Sequence, residues 1–514
     1  METGEHMRLV KSDTDASKYK IIRLEEELVT APLFSLSAST KCPRESEHTH
    51  GLLGLRNQSA GKPPAQDNLV YSNVSAPWAA FICGSQGSGK SHTLSCLLEN
   101  SLLASSPAGK LSSPLAGLVI HYDKFTAFSS TQLYEAAYLH SSDIPVGVLV
   151  SPTNYLAMKR AYTTLAGGST MLKVQRLYLP QKDLNIGMME TLMGIGNKTD
   201  QPLYLEILRD MAIANQGKSG FNYSAFKLLL QREQFLKGQL MPLNMRLGVL
   251  ESFFEPGSVP GASPDKSKNP DADDAWKFPP GTLTIIDLSC PFAGQEDACA
   301  LFNIAVSLFL KNRHDTGRII ALDEAHKFMT STSSEAADLT ETLLSVVRQQ
   351  RHLATRVMIA TQEPTLAPSL LELCNVTIIH RFSSPAWFKA IKSHIAGAGI
   401  EELDQNTTAL SIFQKIVRLP TGEALVFCPT ALLDIVKYDN QQNEEFSNDT
   451  SSSRSDTSDG PSSTDNAHNA IATPDSDSQD EPTPRRVVQL GTAYAHIRVR
   501  NRITVDGGRS VLER

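Results

Sequence analysis

An α/β fold with a mostly parallel central sheet is predicted for this chain of 514 residues on three observations. Short apolar runs recur between turn residues, helical patterns alternate with several of them, and the first run opens directly into a glycine-rich loop and a helix. Short, continuously apolar runs are how strands buried on both faces look, and alternation with helices sets such strands parallel to one another.

The runs are 78–83, 118–122, 146–150, 174–179, 282–288, 318–322, 356–360 and 376–380. Helical spacing covers 91–103 after the first run, 298–311 after the fifth and 336–353 after the sixth. Loop chemistry is then expected at the carboxyl ends of the strands. The stretch 203–254 reads differently, with apolar residues at helical spacing: Tyr204, Ile207, Leu208 and Met211, then Phe226, Leu229 and Leu230, then Leu243, Leu247 and Leu250. It is read as a helical insertion whose stripes pack into the core. The segment 255–280 is rich in Pro, Gly and Asp and reads as loop, and 40–65 is a further weak region.

Hydrophobic residues make up 41% and charged residues 20%, near globular averages, so most of the chain should fold. The net charge of -7 is concentrated, because 441–485 alone carries ten acids against two arginines. What remains is nearly neutral and gives no global electrostatic case for nucleic acid, although a local basic groove stays open. With Ile471 almost its only aliphatic residue besides alanine, 441–485 cannot bury enough apolar surface to order itself. It is read as a disordered acidic insert, a solvated spacer whose Ser and Thr are open to phosphorylation. The seven cysteines are odd in number, with no C-x-x-C pair and no zinc spacing, so reduced structural thiols are expected. No signal peptide is visible and no 18 uncharged apolar residues run together, which reads as an intracellular chain, nuclear or cytoplasmic, with no membrane partner.

The organisation expected is an N-terminal extension, partly loop, over 1–75 and a core over 76–436 that carries the helical insertion at about 185–255 and the loop 255–280. The acidic insert 441–485 follows, and 486–514 returns to the core as a C-terminal strand.

The run 78–83 leads into Gly84, Ser85, Gln86, Gly87, Ser88, Gly89, Lys90, Ser91 and His92, which fit G-x-x-x-x-G-K-[ST] and open a helix. Glycines at 84, 87 and 89 permit backbone angles that let successive amides turn inward around phosphate oxygens. Lys90 adds a point charge at the β and γ phosphates, and the Ser91 hydroxyl suits Mg2+. The positive end of the helix faces the same anion. A P-loop nucleotide site is therefore expected.

The run 318–322 ends in Asp323 and Glu324, where a P-loop fold needs acids. Asp323 can hold the metal through a water, while Glu324 can orient and activate the attacking water. The run 356–360 ends near Gln362, placed to sense the γ-phosphate. Arg348 and Arg351, on a helix expected near the site, are candidates for a finger reaching a neighbouring subunit's nucleotide, with surface salt bridging as the alternative. Asp323, Glu324, Ala325 and His326 spell a helicase tetrad, but one phosphate loop without a second motor fold argues against a helicase. His326 is read as solvent-facing or as a coupling residue. No N-K-x-D motif reads guanine, which favours ATP.

Together, the strand-loop-helix at 78–93, the strand 283–289, the block 322–326 and the run 360–364 resemble the HerA/FtsK group of P-loop ATPases, which includes the conjugation coupling proteins. Over the whole chain the sequence is similar to fungal P-loop proteins. The resemblance spans roughly 76–130 and 281–430, and the run 497–508 looks like the closing strand of that group. It implies a RecA-like core, a hexameric ring, ATP-driven translocation on DNA or another polymer, and an arginine acting in trans, for which Arg348 and Arg351 are the candidates. The N-terminal barrel of HerA has no counterpart in the sequence.

The function expected is hydrolysis of ATP with Mg2+. The alternative is a nucleotide-gated scaffold that binds ATP to order the helical segment for a protein partner with little turnover. A nucleoside kinase fits less well, since no arginine-rich lid follows that segment.

Overall fold

The computed structural model describes residues 26–39, 49–57, 66–124, 133–193, 206, 207, 210, 221–233, 235, 237–255, 274–290, 294–311, 316–329, 333–364, 366–395, 411–437 and 485–506. The acidic insert up to 484, most of the loop 255–280 and part of the 203–254 segment lie outside them.

A thirteen-stranded sheet organises the chain. Its strands are β1 (Leu33–Ser35), β2 (His50–Arg56), β3 (Leu69–Asn73), β4 (Ala79–Cys83), β5 (Ala116–His121), β6 (Val146–Val150), β7 (Leu172–Arg176), β8 (Leu283–Asp287), β9 (Arg318–Leu322), β10 (Thr355–Thr361), β11 (Val376–Ile379), β12 (Glu423–Phe427) and β13 (Ala495–Val499). They lie in the order β1-β3-β2-β13-β12-β11-β4-β10-β9-β5-β8-β6-β7. From β11 to β7 every neighbouring pair is parallel. From β11 outward through β12, β13, β2, β3 and β1 every pair is antiparallel. The sheet is thus mostly parallel, with an antiparallel wing on one side.

The central strands are apolar on both faces because helices cover both. Ala79, Phe81 and Cys83 of β4 join one core cluster, while Ala80 and Ile82 join the other, as the alternation of a strand requires. Helix α1 (Lys90–Leu102) buries Leu94, Leu97 and Leu98 against the second face. With it lies α2 (Tyr155–Ala166), which buries only Met158 and Tyr162, too narrow a stripe to stand out in the sequence. The helical segment contributes α3 (Tyr223–Arg232) and α4 (Lys237–Ser252), where Phe226, Leu230, Leu243, Leu247 and Leu250 are buried in the first cluster. The same cluster takes α5 (Gln295–Lys311) and α6 (Ser334–Arg348). The Ser333 side chain starts α6 by accepting from the Ala336 amide at 3.1 Å, and Glu335 in its first turn suits the helix dipole.

Two expected strands are displaced. The run 118–122 is a strand two residues earlier, and of 174–179 only the first part pairs, since β7 covers Leu172–Arg176. Leu177 and Leu179 are apolar for another reason: they are buried in the cluster that holds the helical segment, and the Leu179 amide bonds Phe253 O at 2.8 Å. β1, β2 and β3 were hidden within an N-terminal stretch read as partly loop. Glycine obscures β2, and it is required there: a Cβ on Gly54 would stand 2.3 Å from the Arg498 carbonyl oxygen of β13. No helix among the described residues is long and apolar enough to cross a membrane.

The chain after β13 is fixed along α1 by a buried ion pair, Arg500 to Glu99 at 2.7 Å, with side chains 8% and 0% exposed. Burial raises the Glu99 carboxyl, but hydrogen bonds from Thr504 and Ile503 and the Arg500 charge outweigh it and hold the group below its ordinary value. A depressed carboxylate contributes stability above its unfolded pKa and loses it as pH falls through the folded one. Glu99→Gln should therefore cost about 3–5 kcal/mol at neutral pH, the toll of leaving one buried charge unpaired, and should weaken the acid dependence of stability. Denaturant melts across pH test this.

Candidate nucleotide site

The glycine-rich loop joins the carboxyl end of β4 to α1. Gly87 and Gly89 take φ of 69° and 113°, in the left-handed region that favours glycine. The loop is pinned from outside. Ser85 donates twice to the Arg381 carbonyl, from its amide and its hydroxyl, both at 2.8 Å. Within the loop, Ser88 Oγ and Lys90 Nζ donate to Ser85 O at 2.7 and 3.2 Å. His92 does not face the loop's hollow alone, since its Nε2 lies 2.8 Å from Arg500 O.

His380, at the end of β11, supports the loop from beneath and was not singled out in the sequence. Burial pushes its imidazole down to about 4, so the ring is neutral. Its Nδ1 lies 3.0 Å from Glu423 O, and its Nε2 2.9 Å from Thr93 Oγ1. A neutral ring that donates to the carbonyl leaves Nε2 to accept from Thr93, which ties α1 to β12 through one side chain.

The acidic pair stands two strands away, past β10, at the tip of β9. Asp323 is 3% exposed, and Ser91 Oγ donates to its Oδ2 at 3.4 Å. Burial, then the neighbouring Glu324 charge, pushes the Asp323 carboxyl up to about 7, with Lys90 opposing. Glu324 has a φ of 51°, a left-handed conformation uncommon outside glycine, and strain of this kind clusters at functional sites. The Asp323 Oδ1 accepts from the Glu324 amide at 2.9 Å, and Gln362 Nε2 donates to Glu324 Oε1 at 2.8 Å.

With the glycine-rich loop after β4, the acidic pair at the tip of β9 and β10 inserted between them, the order β11-β4-β10-β9-β5 decides the architecture. The fold is RecA-like. At the carboxyl tips of β4, β9 and β10 one cleft of about 780 Å³ is lined by Lys90, Ser91, Asp323, Glu324 and Gln362.

His326 does not simply face solvent, contrary to one expectation. Its Nδ1 lies 3.3 Å from Glu324 Oε2 and 3.3 Å from Thr361 Oγ1, and burial holds the ring below its ordinary value. Arg348 and Arg351 are not near the site, which corrects a second expectation. Helix α6 runs from the carboxyl end of β9 back to the start of β10, so both arginines sit at the amino edge of the sheet. Arg348 is exposed and pairs with Glu341 of its own helix at 3.1 Å, and Arg351 is exposed. Neither lines the cleft.

Other lining residues went unread. Thr421 and Gly422 form the turn before β12, a Gly-marked loop that turn chemistry could have flagged. The Gly422 amide donates to Ser88 O at 3.2 Å. His121, stacked on Tyr134 at a ring distance of 4.5 Å, and Arg498 of β13 lack any local motif that would announce them.

No model of a known protein family matches the chain, and no curated protein does. Among solved structures the chain is similar to VirB4 of Thermoanaerobacter pseudethanolicus, at 12% identity and a TM-score of 0.42, over 74% of this chain and 93% of that one. It is similar to the genome packaging NTPase B204 from Sulfolobus turreted icosahedral virus 2 in complex with ATP-gammaS, at 15% identity and a TM-score of 0.22, over 30% of this chain and 65% of that one. A third is the pCW3 conjugation coupling protein TcpA with ATPgS, at 11% identity and a TM-score of 0.26, over 75% of this chain and 64% of that one.

Proposed function

We propose that the chain binds ATP with Mg2+ in this cleft and hydrolyses it, and that the cycle drives movement along DNA or another polymer. The observation that carries this reading is that Ser91 and Asp323, 232 positions apart in the chain, approach to 3.4 Å beside the Glu324 that Gln362 holds. A hydroxyl and a carboxylate are the hard oxygen donors that suit magnesium. A buried carboxyl forced up to about 7 is also one that a cation would return to its charged form. Magnesium, when bound, neutralises charge on the β and γ phosphates.

The chain's own residues do the rest. Backbone amides of the loop and the first turn of α1 take phosphate oxygens, and Lys90 adds its charge. Glu324 accepts the proton of the attacking water, and Gln362 fixes the direction of that carboxylate. Gln362→Ala should then lower kcat on the order of 10- to 100-fold by letting the base swing, with ATP affinity unchanged. Steady-state turnover and calorimetric binding separate the two.

The polymer is inferred from the motif resemblance to HerA/FtsK ATPases, which also suggests a ring with Arg348 or Arg351 reaching a neighbour. One observation favours the scaffold alternative. Helix α4 buries Leu243, Leu247 and Leu250 yet leaves Met241 and Met245 71% and 68% exposed, an adaptable apolar face open to a protein partner. Hydrolysis measured with and without duplex DNA discriminates. Stimulation by DNA supports the motor, whereas slow turnover indifferent to DNA supports the scaffold.

A further inference from the structure

The stretch from Arg498 to Asp506, in and after β13, supplies a wall of the cleft that the phosphate motif does not explain. In β13 the side chains of Ile497 and Val499 enter the core while Arg498 points outward, and beyond the strand the chain turns along α1. Arg500 is held by Glu99, and Arg502 by Glu135, both with side chains almost wholly buried. The Val499 amide donates to Gly422 O at 3.0 Å, and Gly422 in turn bonds Ser88 of the phosphate loop at 3.2 Å. The wall is thereby fixed to the loop.

Arginine recurs at every second position here, and the three side chains have different fates. Two close the buried pairs. The third, Arg498, lines the cleft, is exposed, and has no hydrogen-bond or ion-pair partner among the described residues. Glu423, its register partner on β12, is engaged by His496 at 2.7 Å. The sheet order decides which end of a nucleotide it meets. Glu324 and Gln362 lie at the tips of β9 and β10, on one side of β4, whereas β11, β12 and β13 lie on the other. A triphosphate with its γ end toward Glu324 therefore presents its α-phosphate and ribose toward Arg498.

We propose that Arg498 binds the nucleotide in cis at its α-phosphate and ribose end, as a binding residue with no part in the hydrolytic step. This rests on the nucleotide reading given above. A guanidinium on phosphate forms charge-assisted hydrogen bonds, so its loss should be felt in affinity. Calorimetry with Mg-ATP and Mg-ADP on the full chain tests it. Arg498→Ala should raise Kd for both nucleotides by a similar factor, on the order of tenfold to hundredfold, with kcat at saturating ATP unchanged. Arg498→Lys should fall between, since lysine keeps the charge without the fork. Both variants should melt with the unaltered chain because the side chain is exposed and unpartnered, so lost affinity reads as a lost contact. Undiminished affinity in Arg498→Ala, a loss for ATP alone, or a fall in kcat at constant Kd would each overturn the assignment. Failure of the unaltered chain to bind either nucleotide would instead remove the site reading itself, and Arg498 with it.

Discussion

Replacing Glu324 by glutamine is expected to stop turnover while leaving ATP bound. The amide matches the carboxylate in size and can sit at the same left-handed backbone position, but it cannot take a proton from water. Position-specific proton transfer contributes on the order of 10²- to 10⁴-fold, and kcat should fall by about that factor. Affinity for ATP should hold, since Glu324 lies outside the glycine-rich loop proposed to take the phosphates, bonded to Gln362 at 2.8 Å. Rapid-quench hydrolysis and calorimetry on one preparation decide it. Turnover retained in Glu324→Gln would take the role of base away from this residue.

Lys90→Ala should do the reverse and act on binding first. Lys90 is 4% exposed at the first position of α1, and its ammonium donates to the loop carbonyl of Ser85 at 3.2 Å. Each charge-assisted bond to a phosphate is worth about 1.5–3 kcal/mol. Loss of contacts to two phosphates should then weaken ATP binding on the order of 10²- to 10⁴-fold. Tight ATP binding by Lys90→Ala would place the nucleotide elsewhere.

Much of the architecture was legible because it rests on local chemistry. Parallel strands covered on both faces are largely apolar, so β4, β8, β9, β10 and β11 stand out as short apolar runs. The glycine-rich loop is legible for a related reason: a strand, glycines and a helix start fall within a few residues. Antiparallel strands at the wing follow a weaker rule. β2 carries glycines where neighbours press close, so it does not read as a strand, and β13 alternates His496 and Arg498 with aliphatic residues, so it is visible only through the resemblance of its run to a closing strand.

The cleft was legible only where its residues sit on such runs. Ser91, Asp323, Glu324 and Gln362 end or follow apolar strands, and parallel pairing brings strand ends together. His380 and Arg498 depend on long-range registry instead: one lies under the loop from β11, the other beside it from a strand near the end of the chain. Arg348 and Arg351 are expected near the site from their place after Asp323 in the sequence, but the helix between carries them away from it. Fifteen residues of α6 carry the chain from the carboxyl edge of the sheet to the opposite one.

The most direct measurement is a crystal structure of the Glu324→Gln chain grown with ATP and Mg2+. The triphosphate is predicted to lie along Gly84 to Ser91, with a metal between Ser91 and Asp323 and the γ-phosphate facing residue 324. A nucleotide seated away from the loop, or a metal that Asp323 does not approach, would contradict the account.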